Sequence, residues 1–217
     1  MTSDFLLRLL GVALLVGLTI ALCQWAHHRL PQCRLAPGDG HRVRNRYRNV
    51  AANIGTALAV YAAGLALFGD FLLDPGRPSR WWTPLAILLA YDSGYYWVHR
   101  ALHWRPLMRH IHWVHHRMIH PTAVDSLYLH PAETAMGLAV QLGAVALFGP
   151  LGLGAFLAVS LLHAVINVLD HANLVLPWRL AWLSNHWSAR HDLHHSKGGN
   201  FASITPFWDW LFGTAAR

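Results

Sequence analysis

The sequence predicts an all-α integral-membrane helical bundle of about four to five membrane segments, two of them a hairpin, with a cytoplasmic His-rich helical cap. Three observations predict it. Of 217 residues, 54% are apolar and only 12% charged, about half the roughly 25% of a soluble protein. Apolar stretches recur at lengths close to a bilayer span. Fourteen of the seventeen histidines fall between His99 and His195, a clustering that demands a chemical reason. The length suits one compact membrane unit.

The first apolar stretch covers residues 9–25. Arg8 precedes it, as in a signal peptide, but no convincing small-x-small cleavage site follows, so a retained span is expected. The second stretch covers residues 50–68 and the third residues 83–103. A polar, His-rich segment follows to Glu133. Two shorter stretches, residues 134–148 and 151–169, flank Gly149-Pro150 and read as a hairpin. The fourth is short for a bilayer that needs about 20 residues.

Charge placement orients these spans. Residues 27–48 carry six arginines, residues 99–133 carry four, and residues 171–217 carry three arginines and Lys197, the single lysine. Residues 69–82 hold only Arg77 and Arg80, and the Gly149-Pro150 tip holds none. The positive-inside rule then places both His-rich segments on the cytoplasmic side, where they can meet. Trp81 and Trp82 suit one interfacial belt, and Trp104, Trp113, Trp178 and Trp182 the other. The basic loop His41–Arg48 suits topology signalling and contact with anionic head groups. The predicted location is the cell inner membrane. A net charge of +7 on so apolar a chain speaks for a membrane face and against nucleic acid.

Composition excludes several functions. Cys23 and Cys33 cannot form a disulfide framework, a cysteine-rich zinc site or an iron–sulfur site. One glutamate, Glu133, against nine aspartates cannot supply a carboxylate-bridged di-iron bundle. The chain has no His-Glu-x-x-His of a zinc protease, no haem-attachment motif and no Gly-rich nucleotide fingerprint.

Three histidine clusters remain: His99-Arg-Ala-Leu-His103, His112-Trp-Val-His115-His116 and His191-Asp-Leu-His194-His195. Helical residues three and four apart share a face, so each cluster can present two or three imidazoles to a common point. Eight nitrogens exceed the four or so that one zinc takes and suit two metal ions. Imidazole binds Zn, Cu, Fe and Ni alike; the membrane setting and two-metal count favour oxygen-activating iron. Carboxylates should offset metal charge and fix imidazole tautomers, with Asp92, Asp125, Asp170 and Asp192 as candidates.

These residues resemble the fatty acid hydroxylase superfamily, which includes sterol desaturases. Asp92-Ser-Gly-Tyr-Tyr96-Trp-Val-His99-Arg100-Ala-Leu-His103 resembles its D-x-x-x-Y-x-x-H-R-x-x-H segment. The two His-x-x-His-His motifs, His130-Pro131-Ala-Glu133, Asp170-His171-Ala-Asn173 and Trp208-Asp209-Trp210-Leu211-Phe212-Gly213-Thr214 resemble further family segments in order. The likeness covers roughly residues 83–214, with departures at Tyr128, Ala202 and Trp210 that touch no proposed ligand. It implies an integral-membrane, non-haem di-iron enzyme that hydroxylates or desaturates a lipid with O₂. By that resemblance the ligands are His99, His103, His112, His115, His116, His171, His191, His194 and His195. His163, His130, Asp92, Asn167 and Asp170 are candidates for additional ligands or for residues that support the ligands. The implied cofactor is a pair of iron ions, with zinc an expected substitute in a preparation.

The implied organisation is a membrane and basic-loop region, 1–82, followed by a catalytic region, 83–217. The expected partners are a lipid from the bilayer, O₂, the membrane and a separate electron-donor protein, since the chain carries no redox motif of its own. The alternative is a His-rich membrane metal-binding or transport protein without oxygenase activity, which would want histidines along a path through the bilayer.

Overall fold

The computed structural model describes residues 3–39 and 43–216, with side chains from residue 7 onward. His41 and Arg42 of the basic loop, and Arg217, lie outside the described residues. Eight α-helices follow in order among those residues: α1 Ser3–Arg29, α2 Arg46–Leu72, α3 Thr83–Leu102, α4 Arg105–His110, α5 Pro131–Leu147, α6 Leu153–Asp170, α7 Trp182–Lys197 and α8 Phe207–Leu211. Short 3₁₀ turns fill His112–Arg117 and Ala123–Leu127.

Helices α1, α2 and α6 are long and apolar enough to cross a membrane. The expected spans 9–25, 50–68 and 151–169 each lengthen, to Leu7–Arg29, Arg46–Leu72 and Leu153–Asp170. Helix α3 has the length, at 20 residues, but carries Asp92, His99 and Arg100, which lower its apolar character. Helix α5 has 17 residues, so at about 1.5 Å per residue it falls just short of the roughly 30 Å hydrocarbon layer.

Helix α1 leaves Leu14, Leu18 and Leu22 exposed, which an apolar solvent tolerates and water does not. Small residues let the other helices approach. A Cβ on Gly64 of α2 would lie 2.6 Å from Leu142 of α5, and one on Gly94 of α3 would lie 2.9 Å from Val140 of α5. Helix α5 is thereby wedged between α2 and α3. Leu72, Ile87, Tyr91, Leu142, Val145, Phe156 and Val159 fill the space between these helices and α6.

The bundle has two distinct ends. At one, Leu73 bridges to Leu151 and Arg77 donates to the Pro150 carbonyl at 2.8 Å. At the other, Arg34 bridges to Leu174, and Asn49 and Asn53 both donate to the Leu129 carbonyl. The His-rich segments all gather at this second end. Trp104, Trp113, Trp178 and Trp182 are exposed there, and Trp81 and Trp82 at the first end, giving two aromatic levels as a bilayer requires.

Two buried aspartates fasten the C-terminal strap, residues 199–216. Asp92 accepts from the amides of Ser203, Ile204 and Thr205 and from the Thr205 hydroxyl. Asp209 accepts from the amides of Phe201 and Ala202 and pairs with Arg190 at 2.7 Å.

Candidate metal centre

His99 lies in the last turn of α3 and His103 caps it. His112, His115 and His116 lie on a 3₁₀ turn, His171 caps α6, and His191, His194 and His195 lie on α7. Their spacing suggests one target per cluster. The structure instead divides each His-x-x-His-His motif between two groups. His99, His103, His112, His116 and His194 form one group, and His115, His171, His191 and His195 the other. Within each, one nitrogen per residue lies within 4.8 Å of all the others.

In both motifs the residues four apart stay together and the third crosses over. Helix α7 shows why. At about 100° per residue, His195 sits roughly 40° to one side of His191 and His194 roughly 60° to the other. The helix therefore faces the midline between the two groups and feeds both.

The nitrogens converge through Nε2. In the five-histidine group, His103–His112, His112–His116 and His116–His194 are separated by 3.1, 3.0 and 3.1 Å. In the four-histidine group, His171–His191, His191–His195 and His195–His115 are separated by 2.9, 3.0 and 3.1 Å.

The opposite nitrogens explain what these short separations mean. Nδ1 of His99 faces the Phe201 carbonyl at 2.8 Å, that of His171 the Asn167 carbonyl at 2.7 Å, and that of His195 the Met118 carbonyl at 2.8 Å. His115 faces the Tyr128 carbonyl at 3.3 Å, and His194 the Gly199 carbonyl. A carbonyl only accepts, so each Nδ1 carries the proton and each neutral ring turns a bare Nε2 lone pair inward. Facing lone pairs about 3 Å apart cannot hydrogen-bond to each other. They suit a cation.

The donor set fits a metal on two further counts. Bonds of about 2.1 Å spread at roughly 90° put neighbouring nitrogens about 3.0 Å apart, close to the spacing found. Moreover, Nε2 of His99 is buried with no hydrogen-bond partner, an orphan that a metal in the five-histidine group would satisfy.

Burial keeps these rings neutral and ready to bind. Desolvation pushes His171 down to about 4. Desolvation and the His171 ring push His115 to about 3, and desolvation with the His115 ring pushes His116 to about 2. Desolvation likewise drives His112, His191, His194 and His195 well below the usual histidine range.

The sequence-derived support residues fall elsewhere. His163 packs edge-on against Tyr91, ring centroids 4.6 Å apart, and belongs to neither group. His130 caps α5, its Nδ1 accepting from the Ala132 amide at 3.1 Å. Asp92 holds the strap, and Asp170 accepts from the Ser203 hydroxyl at 2.9 Å. Asp125 pairs with Arg46, and Asp192 bonds His120 at 2.9 Å. The expectation that aspartates fix the imidazole tautomers is thus replaced: backbone carbonyls do so. Asn167 contributes through its carbonyl rather than its side chain.

Residues 84–214 match the fatty acid hydroxylase family. The chain belongs to that family. A very-long-chain aldehyde decarbonylase of Oryza sativa subsp. indica is 36% identical over 181 residues, covering 76% of this chain and 65% of the relative. A methylsterol monooxygenase of Arabidopsis thaliana is 36% identical over 133 residues, 57% of this chain and 48% of the relative. Another methylsterol monooxygenase, of Aspergillus fumigatus, is 31% identical over 139 residues, 61% of this chain and 46% of the relative. The chain thus spans between about half and just under two thirds of the length of these relatives. No solved structure matches it significantly.

In this hydroxylase-family chain a cavity of about 180 Å³ opens beside both groups. Its walls include Ala57 of α2, Tyr91 and Tyr95 of α3, Leu138 of α5 and Ile166 of α6, and its lining reaches His99, His115, His171 and His191. Sequence reasoning missed two of its polar residues. Glu133 accepts from His112 Nδ1 at 2.8 Å, the one carboxylate among the described residues seen to touch either group. Ser126 is fully buried in the wall. Glu133 carried a signal, as the sole glutamate and the end of the His130-Pro131-Ala-Glu133 segment. Ser126 carried none.

Proposed function

We propose that this protein is a membrane-bound non-haem di-iron oxygenase that hydroxylates or desaturates a C–H bond of a lipid. The observation that carries this reading is the pair of imidazole groups, with inward-facing Nε2 atoms, set along an apolar cavity between membrane helices. His99, His103, His112, His116 and His194 would hold one iron, and His115, His171, His191 and His195 the other. Iron, when bound, supplies the activation of O₂ needed to oxidise an unactivated C–H bond. The chain's own residues do the rest. Carbonyls at Nδ1 lock the rings in the binding tautomer. Apolar side chains from α2, α5 and α6 line up the substrate and keep water away from the reacting carbon.

The relatives named for methylsterols and very-long-chain aldehydes support a lipid substrate, drawn sideways from the bilayer. A separate electron-donor protein supplies reducing equivalents. The arginine distribution supports a site on the cytoplasmic side of the cell inner membrane.

The test combines metal analysis with lipid profiling. Purified protein should hold two iron ions per chain, and cells with the gene should contain a lipid that has gained one oxygen or lost two hydrogens relative to cells without it. Iron-free protein, or identical lipid profiles, would overturn the reading.

A further inference from the structure

Four buried side-chain atoms have no hydrogen-bond partner among the described residues: His27 Nδ1, His99 Nε2, Ser126 Oγ and Glu133 Oε2. His99 Nε2 belongs to the five-histidine group, and His27 lies away from the cavity. Ser126 and Glu133 both line the cavity, at 0% and 4% exposure. Each is held in place by its other polar atoms. The Ser126 carbonyl accepts from Asn167 Nδ2 at 3.2 Å, and Glu133 Oε1 faces His112 Nδ1 at 2.8 Å. Oγ and Oε2 are therefore left for whatever fills the cavity.

An alkyl chain would leave both atoms unpaired in a dry site, which is costly. A hydroxyl group satisfies both at once, because it donates one hydrogen bond and accepts others. We propose that the cavity selects a lipid alcohol, whose hydroxyl donates to Glu133 Oε2 and accepts from Ser126 Oγ. This rests on the lipid-oxygenase reading and adds the substrate class. The same small cavity is lined by His99, His115, His171 and His191, so the carbon oxidised lies within a few bonds of that hydroxyl. Ser126 and Glu133 are specificity residues: they recognise the alcohol.

The test uses iron-loaded protein in nanodiscs and measures saturable binding of radiolabelled dodecan-1-ol, methyl dodecyl ether and dodecane. The alcohol should bind at least roughly tenfold more tightly than the alkane, with the ether, which accepts but cannot donate, in between. Ser126→Ala should shrink the alcohol preference to roughly threefold or less, while iron content and melting temperature stay unchanged, since its hydroxyl has no partner to lose. Equal binding of alcohol and alkane by the unaltered protein would overturn the proposal, as would a full preference surviving in Ser126→Ala. Iron content and O₂ consumption, measured alongside, separate the two readings. Protein that keeps both but shows no preference for the alcohol defeats the alcohol proposal alone.

Discussion

The two histidine groups draw on the same repeated motif yet differ in character. The five-histidine group includes the half-buried His103 and His116, touches the carboxylate of Glu133, and reaches the cavity only through His99. The four-histidine group is fixed by backbone carbonyls at His115, His171 and His195, and three of its four members line the cavity. Fewer protein donors and a larger share of the cavity wall leave the room for non-protein ligands on the four-histidine side. One sequence motif, used twice, therefore builds two unequal sites, because α7 and the 3₁₀ turn each split their histidines across a midline.

Deleting a ligand from each group tests that inequality most severely. His115→Ala and His194→Ala should both abolish turnover and lower bound iron. His115→Ala leaves three nitrogens in its group and should lose more iron than His194→Ala, which leaves four. Elemental analysis beside turnover checks this, and equal iron loss would erase the distinction. Glu133→Ala should weaken metal binding by about 10–100-fold in the five-histidine group alone. Chelator titration would then become biphasic where the unaltered protein is less so.

Acid should strain both groups of the metal-free protein. An unfolded histidine titrates near 6.5, whereas His171 is held to about 4, His115 to about 3 and His116 to about 2. Below about pH 6.5 the unfolded chain takes up protons that the folded chain refuses, so stability falls as pH falls. The contribution of His171 to that fall is complete by pH 4, while those of His115 and His116 continue lower. Melting of metal-free protein between pH 7 and pH 4 measures it, and a flat profile would contradict the burial of these rings. The mildest change is Asp92→Asn, which weakens the hold on residues 203–205 and should cost roughly 1–3 kcal/mol. It should speed proteolysis of the strap while leaving direct histidine contacts intact.

Much of the architecture was legible from residues alone. Apolar stretches and the arginine distribution placed the His-rich segments at one end, because hydrocarbon thickness and charge asymmetry act through composition. The nine histidines that converge were all candidates from motif and resemblance. Their division into two groups was not legible, since it depends on the angle at which α7 meets the 3₁₀ turn. Nor were the groups that orient the rings: Phe201, Met118, Tyr128 and Gly199 act through carbonyls, which every residue possesses and no side-chain pattern reveals. Asp92 drew attention as an acid within a span, and it is indeed buried for a purpose, but that purpose is to tether a strap from the far end of the chain.

That strap imposes an order of assembly. His99 is made about a hundred residues before Phe201, the residue whose carbonyl steadies it, and Phe201 is in turn gripped by Asp209. Until these later residues emerge from the ribosome, the early imidazoles are free to spin and to present either nitrogen. Durable iron capture is therefore a late event in biogenesis, and the stretch that completes it doubles as a checkpoint against premature loading.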